Sequence, residues 1–182
     1  MRRRDHVQHV LEQWRRETPE FDRSPFGVIG RISRLAQLLQ AELEPIFAAH
    51  AVNGGEFDVL AALRRVGRPY RLTPTELSTA LIITSGGMTK RLNALEGRGL
   101  IRREPDPNDG RSTAVSLTRE GKRLVDTILP DHVANEHRLL SGLSAKERAE
   151  LAGLLQTLAI SRGDETDARL RATAPARRRR SR

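Results

Sequence analysis

The stretch Thr73-Pro74-Thr75-Glu76-Leu77-Ser78-Thr79-Ala80-Leu81-Ile82-Ile83-Thr84-Ser85-Gly86-Gly87-Met88-Thr89-Lys90-Arg91-Leu92-Asn93-Ala94-Leu95-Glu96-Gly97-Arg98-Gly99-Leu100 decides the fold. Thr73 caps a helix, Pro74 suits its first position, where a missing N–H costs nothing, and Glu76 completes a capping box. That helix is short, about Pro74–Leu81. Ile82-Ile83-Thr84 leaves room only for a tight turn. A second helix begins near Ser85 and runs through Arg98, with Met88, Leu92 and Leu95 recurring at helical spacing and facing inward. Gly97 and Gly99 end it.

Downstream the period changes. Leu100–Glu104 reads as one short strand, and Thr113, Val115 and Leu117 alternate with Ala114 and Ser116 in another. Between them Pro105-Asp106-Pro107-Asn108-Asp109-Gly110-Arg111 is a turn-rich loop, which predicts a hairpin with a long polar tip. Thr118 then caps a long helix to about Leu140, bent at Pro130. Ser144 and Glu147 form another capping box, opening a helix with Leu151, Leu154, Leu155 and Leu158 on one face.

Upstream, Val7, Val10, Leu11 and Trp14 make a short stripe closed by Pro19. Val28, Ile29, Ile32, Leu35, Leu39, Leu43, Ile46 and Phe47 make a long one that passes through Pro45. Asn53-Gly54-Gly55 is a turn, and Phe57, Leu60, Ala61 and Leu63 form a third helix ending near Gly67. The expected fold is mainly α with a small β-hairpin wing. Its expected parts are an extra helix and linker (1–24), a dimerisation helix (25–52), a winged helix-turn-helix (53–118), C-terminal dimerisation helices (119–163) and a disordered Arg-rich tail (164–182).

Composition narrows the function classes. The chain has 182 residues, 32 Lys+Arg against 23 Asp+Glu, a formal net charge of +9, and no Cys. Disulfides, thiolate metal sites and cysteine nucleophiles are therefore excluded. Residues 169–182 carry seven Arg and no acid, leaving +2 for residues 1–168, so much of the basic excess is a tail. That tail is too polar to pack; it either adds nonspecific attraction to nucleic acid or is simply solvated. No apolar run reaches the roughly 18 residues of a membrane span. Met1–Arg4 opens like a signal peptide, but no apolar region follows, so the expected location is cytoplasmic and nucleoid-associated.

The helix–turn–helix and hairpin suit DNA. A helix fits the major groove, where every base pair presents a distinct donor and acceptor pattern. The exposed side of the second helix is polar: Ser85, Thr89, Lys90 and Asn93. Gly86 and Gly87 allow close backbone approach, and the helix N-terminus offers amide donors to phosphate. Residues 85–119 hold seven cations and four acids, a local +3. Arg111 at the hairpin tip is long enough for a narrow minor groove, with Asp109 placed to hold it. Helix–turn–helix units also serve as plain packing elements; the hairpin and its Arg tip in the right order favour DNA.

These motifs resemble the MarR family of bacterial transcription regulators. The matching residues are Phe57-Asp58-Val59-Leu60, Thr75-Glu76-Leu77, Met88-Thr89-Lys90-Arg91-Leu92, Leu95-Glu96, Gly99-Leu100-Ile101, Asp109-Gly110-Arg111-Ser112 and Leu117-Thr118-Arg119-Glu120-Gly121. The resemblance spans about residues 26–160. It implies a homodimer joined through N- and C-terminal helices, and it adds Thr75 and Ser112 to the expected DNA contacts. A symmetric dimer implies a palindromic operator.

The extra N-terminal helix is similar to that of the urate-responsive, PecS- and HucR-like branch. That branch places a Trp in the first helix, an Asp in the Gly-Glu-x-Asp-Val-Leu segment, an Arg in the recognition helix and an Arg in the first wing strand. Here these are Trp14, Asp58, Arg91 and Arg103. The resemblance implies a ligand-responsive repressor released by a small anion such as urate or xanthine. A flat purine anion suits an apolar wall at Trp14 and a guanidinium at Arg103. An Asp58–Arg91 contact would hold the recognition helix in register until the anion perturbs it. Read singly, each residue has a plainer role: Trp14 in a core, Asp58 solvated, Arg91 on phosphate, Arg103 as a wing-surface charge. A related branch answers to aconitate and citrate, anions an Arg pocket also suits.

Other classes are weaker. His132 and Glu136 share a helix face with His137 adjacent, but no third and fourth metal ligand is apparent, and neither a catalytic triad order nor a phosphate-binding loop appears. No cofactor, metal or enzymatic activity is expected. A nonspecific nucleoid-packing protein would also use helical dimers and a basic tail.

Overall fold

The computed structural model describes residues 4–81, 85–106 and 109–164, without side chains at 85 and 109–111. The order is α1 (His6–Glu17), α2 (Ser24–Ala48), α3 (Gly54–Arg65), β1 (Arg71–Leu72), α4 (Pro74–Leu81), α5 (Ser85–Gly97), β2 (Ile101–Asp106), β3 (Asp109–Leu117), α6 (Arg119–Leu139) and α7 (Ala145–Ser161). The chain divides into two compact units, Met1–Pro45 and Ile46–Arg182.

In the first unit, the Asp5 carboxylate caps α1 by accepting from the Gln8 N–H at 2.7 Å. The same carboxylate accepts from Arg31 Nε on α2, also at 2.7 Å, and that ion pair is the main cause of its lowered pKa. Val7 packs against Gly30. Trp14 meets Phe26 with ring centroids 6.4 Å apart, yet stays 47% exposed. Val28, Ile29, Leu35 and Leu38 of α2 also face outward.

The second unit holds the core. Leu60 and Leu63 of α3, Leu77 of α4, Met88, Leu92 and Leu95 of α5, Ile101 and Val115 of the sheet, and Val125 and Ile128 of α6 are all buried. Each such side chain contributes about 1.5–3 kcal/mol of apolar burial. The capping boxes form as the sequence predicts. Thr73 N–H donates to Glu76 Oε2 at 2.7 Å, and Glu76 N–H to Thr73 Oγ1 at 3.2 Å. Ser144 and Glu147 do the same at α7. Thr118 caps α6 by accepting from Gly121 N–H, while its hydroxyl donates to the Gly99 carbonyl at 2.7 Å. This brings Gly121 hard against the Leu100 backbone: a Cβ at Gly121 would lie 1.9 Å from the Leu100 carbonyl oxygen. Pro130 lies inside α6.

The sheet differs from expectation in two ways. β1, only two residues long, pairs with β3 (Arg71 with Ser116, Leu72 with Val115), giving the strand order β1-β3-β2. The hairpin arms also reach further: β2 continues to Asp106 and β3 starts at Asp109, with Asp106 opposite Asp109 and an irregularity at Pro105/Asp106. A ladder needs backbone groups and not apolar side chains, so polar residues read as loop still pair. Pro105 is tolerated because β2 is an edge strand. The expected turn at 82–84 and all of the expected 164–182 tail except Asp164 lie outside the described residues.

The termini of the helical set are left with uncovered apolar residues. No residue of α7 is buried, and Leu151, Leu154, Leu155 and Ile160 face solvent in the single chain.

Candidate nucleic-acid interface

α5 is anchored by Met88, Leu92 and Leu95, at 1%, 2% and 0% exposure. Burying that edge leaves Gly86, Gly87, Thr89, Lys90 and Asn93 on the open side, as the sequence predicts. Thr75 of α4 is also exposed, and its carbonyl accepts from the Thr79 hydroxyl at 3.1 Å. Ser85 opens α5, and Asp109 and Arg111 begin β3; their side chains lie outside the description. Ser112, further along β3, is partly exposed.

Among the described residues, Arg91 of α5 and Arg98, just beyond its end, both reach the N-terminus of α3. The Arg91 guanidinium lies over Gly55, where a Cβ would stand 2.5 Å from Arg91 Cζ. Glu56 Oε2 lies 3.5 Å from Arg98 Nη1 and also accepts from the Asn53 N–H in the α3 capping box. Gly55 is what permits the first contact, since any side chain would displace the guanidinium.

Asp58 sits one turn along α3. Its carboxyl is raised above the usual carboxylate range because neighbouring protein desolvates it; the charges of Arg91, then His132 and Arg65, oppose the rise. Much of the residue is still reached by solvent, so the desolvation is partial. Asp58 and Arg91 thus interact through their charges, but no hydrogen bond joins them among the described residues. His132 closes this corner. Its ring packs on Phe57 and Phe47, with centroids 5.0 and 5.4 Å away, its Nε2 is 3.3 Å from Glu136, and its buried Nδ1 has no hydrogen-bond partner among the described residues. No cluster of three metal-ligating side chains occurs among the described residues.

Arg103 stands on the side of β2 that also carries buried Ile101, against α5. Its Nη2 donates to Asn93 Oδ1 at 2.7 Å, its backbone N–H donates to Glu96 Oε1 at 3.0 Å, and its Nη1 is 3.4 Å from Glu96 Oε2. A residue expected at the ligand therefore meets one expected at DNA. Of the four expected ligand residues, Asp58 and Arg91 come together, Arg103 is bonded to α5, and Trp14 belongs to the first unit. Sequence reasoning missed Glu96, Glu56 and Gly55. Glu96 had a usable signal in its one-turn spacing from Asn93, whereas the approach of Arg91 to Gly55 has none before the helices are packed.

An exposed polar helix pinned by an apolar edge, flanked by a two-stranded wing, defines a winged-helix DNA-binding protein. A family model described as the MarR family matches residues 52–112. The chain is 40% identical over 149 residues to the transcriptional regulator PecS of Dickeya dadantii, covering 82% of this chain and 90% of that protein. The chain belongs to the MarR family, whose members are DNA-binding transcription regulators and not enzymes. Proteins of this family bind operator DNA as dimers and respond to small molecules. A mutant MarR from E. coli complexed with operator DNA is similar in structure, with a TM-score of 0.64 and 25% identity over 80% of this chain and 96% of that one. So is BpsR of Bordetella bronchiseptica, whose DNA binding is regulated by 6-hydroxynicotinic acid, with a TM-score of 0.66 and 25% identity over 72% and 92%.

Proposed function

We propose that this MarR-family regulator is a homodimeric repressor that binds a palindromic operator and is released by a small aromatic anion such as urate or xanthine. The observation that carries the reading is the α3–α5 corner, where partly desolvated Asp58 faces Arg91 and Arg91 rests on Gly55. An acid held above its usual pKa beside a guanidinium with no hydrogen bond to it among the described residues is a poised charge pair. An anion arriving there competes with Asp58 for Arg91. Drawing Arg91 off Gly55 removes one contact between α3 and α5 and shifts the recognition helix. A coupling of about 1–3 kcal/mol between anion and DNA weakens DNA binding roughly 5–150-fold.

In this reading Thr75, Ser85, Gly86, Gly87, Thr89, Lys90 and Asn93 meet the major groove or its phosphates, and Asp109, Arg111 and Ser112 serve the wing. Arg103 is available to the anion only by leaving Asn93 and Glu96. Trp14 is assigned to the ligand on the PecS-like resemblance. Dimerisation is supported by the uncovered apolar residues of α2 and α7.

The test is titration of purified protein with urate and xanthine by calorimetry and by quenching of Trp14, the single tryptophan. A parallel gel shift uses the intergenic DNA upstream of the gene. Saturable binding with release of DNA is expected. Specific DNA binding with no heat, no quenching and no release would end the ligand assignment, while a lack of preference for the upstream DNA over random DNA would favour a nucleoid-packing role.

A further inference from the structure

We infer that Arg103 is a positioning residue that fixes the amide of Asn93 as a hydrogen-bond donor, so that α5 prefers guanine over adenine at the base Asn93 meets. The inference rests on the assignment of α5 to the major groove and adds to it the identity of one base edge.

The guanidinium is aimed from several sides. The Arg103 backbone N–H and Nη1 engage Glu96, one helical turn beyond Asn93, and Nη2 donates to Asn93 Oδ1 at 2.7 Å. The strand face that carries Arg103 is set by Ile101, which is 1% exposed. An amide has an acceptor end and a donor end, and guanidinium can only donate. Turning the Asn93 amide over would set Nδ2 against a cation and lose a charge-assisted hydrogen bond. One of the two lone pairs of Oδ1 is therefore taken by Arg103 and the amide is held in one orientation, while Nδ2 keeps both of its N–H groups for a partner. Asn93 is exposed on the same side of α5 as Thr89 and Gly86.

Adenine presents N7 as acceptor and N6 as donor in the major groove, and Asn grips it by using both ends of its amide. The Arg103 clamp takes one lone pair of Oδ1 and fixes the direction of the other, which weakens that two-ended grip. Guanine presents two acceptors, N7 and O6, which the N–H groups of Nδ2 can serve. Glu96 contributes by holding Arg103, without itself meeting the base.

The experiment is selection from a randomised palindromic library, followed by affinity measurements on single-base variants, for the wild type, Asn93→Ala, Arg103→Met and Arg103→Lys. The wild type is expected to favour guanine about tenfold or more at one position of each half-site. Asn93→Ala flattens that position. Arg103→Met frees the amide and brings adenine within about twofold of guanine there, leaving the other positions unchanged; Arg103→Lys, which keeps a donor, retains part of the preference. Melting curves check that each variant folds, and if Arg103→Met does not, Arg103→Lys decides. Equal weakening on every sequence by the Arg103 variants, or an Asn93-dependent preference for adenine in the wild type, overturns the inference while leaving the DNA-binding role intact. A wild type with no base preference anywhere would also overturn the assignment of α5 to the groove.

Discussion

α3 and α7 carry the same kind of signal and end in opposite environments. Each is capped by a capping box and has apolar residues at helical spacing. In α3, Phe57, Val59, Leu60, Ala62 and Leu63 are buried by α4, α5, α6 and the sheet. In α7, Leu151, Leu154 and Leu155 remain 41%, 70% and 44% exposed. Periodicity reports that a helix has an apolar face, and the difference lies in what covers it. The first face is satisfied within the chain, while the second awaits a second copy on the dimer reading. Only the first is needed to shape the DNA-reading surface.

The strongest way to break the contrast is at the packed region. Gly121→Ala drives a Cβ to 1.9 Å from the Leu100 carbonyl oxygen, a backbone atom that also accepts from the Thr118 N–H. A loss of about 3 kcal/mol or more is expected in urea denaturation. Leu95→Ala, at a fully buried position, is expected to cost about 2–5 kcal/mol. Unchanged stability in either variant would contradict the packing of α5 and the wing.

The corresponding change at α7 acts on assembly. Leu151→Asp with Leu155→Asp is expected to raise the dimer dissociation constant about a hundredfold or more, as followed by sedimentation, while monomer helicity persists. A double variant that stays dimeric at low concentration would remove α7 from the interface.

Two acids sharpen the picture with smaller effects. Lys122 and Arg64 bind Asp126 and hold its carboxyl below the ordinary 3.8. A lowered folded pKa stabilises above the unfolded value and loses that contribution as pH falls through the folded one. The groups are about a third exposed, so Asp126→Asn should cost only about 0.5–1 kcal/mol near neutrality, with the difference vanishing only once the pH is below the folded pKa, which itself lies under 3.8. Asp58 has the opposite sign. Its folded pKa is raised above 3.8, so the ionised group slightly destabilises the fold at neutral pH and ceases to do so below that value. Asp58→Asn should therefore raise stability slightly at pH 7, solvent screening keeping the effect small, while reducing the response of DNA binding to the anion. Denaturation at pH 7 and in acid well below 3.8 reads both variants; a destabilised Asp58→Asn protein would contradict the desolvation argument.

The helices and their caps were legible because Thr73/Glu76, Thr118 and Ser144/Glu147 act through neighbours in the chain. β1 was not: Arg71-Leu72 is a strand only because β3 lies beside it. The full length of the hairpin was hidden by its polar composition. At the site, the open face of α5 followed from Met88, Leu92 and Leu95. The bond between Arg103 and Asn93 joins a strand to a helix ten residues away and depends on how the wing folds back.

The central claim is that two copies of the chain present α5 to one operator. Hydroxyl-radical footprinting on the upstream DNA tests it most directly. The account predicts two protected windows related by a two-fold axis, with half-site centres about one helical turn, roughly 10–10.5 base pairs, apart. A single window, or uniform protection along the duplex, would contradict it.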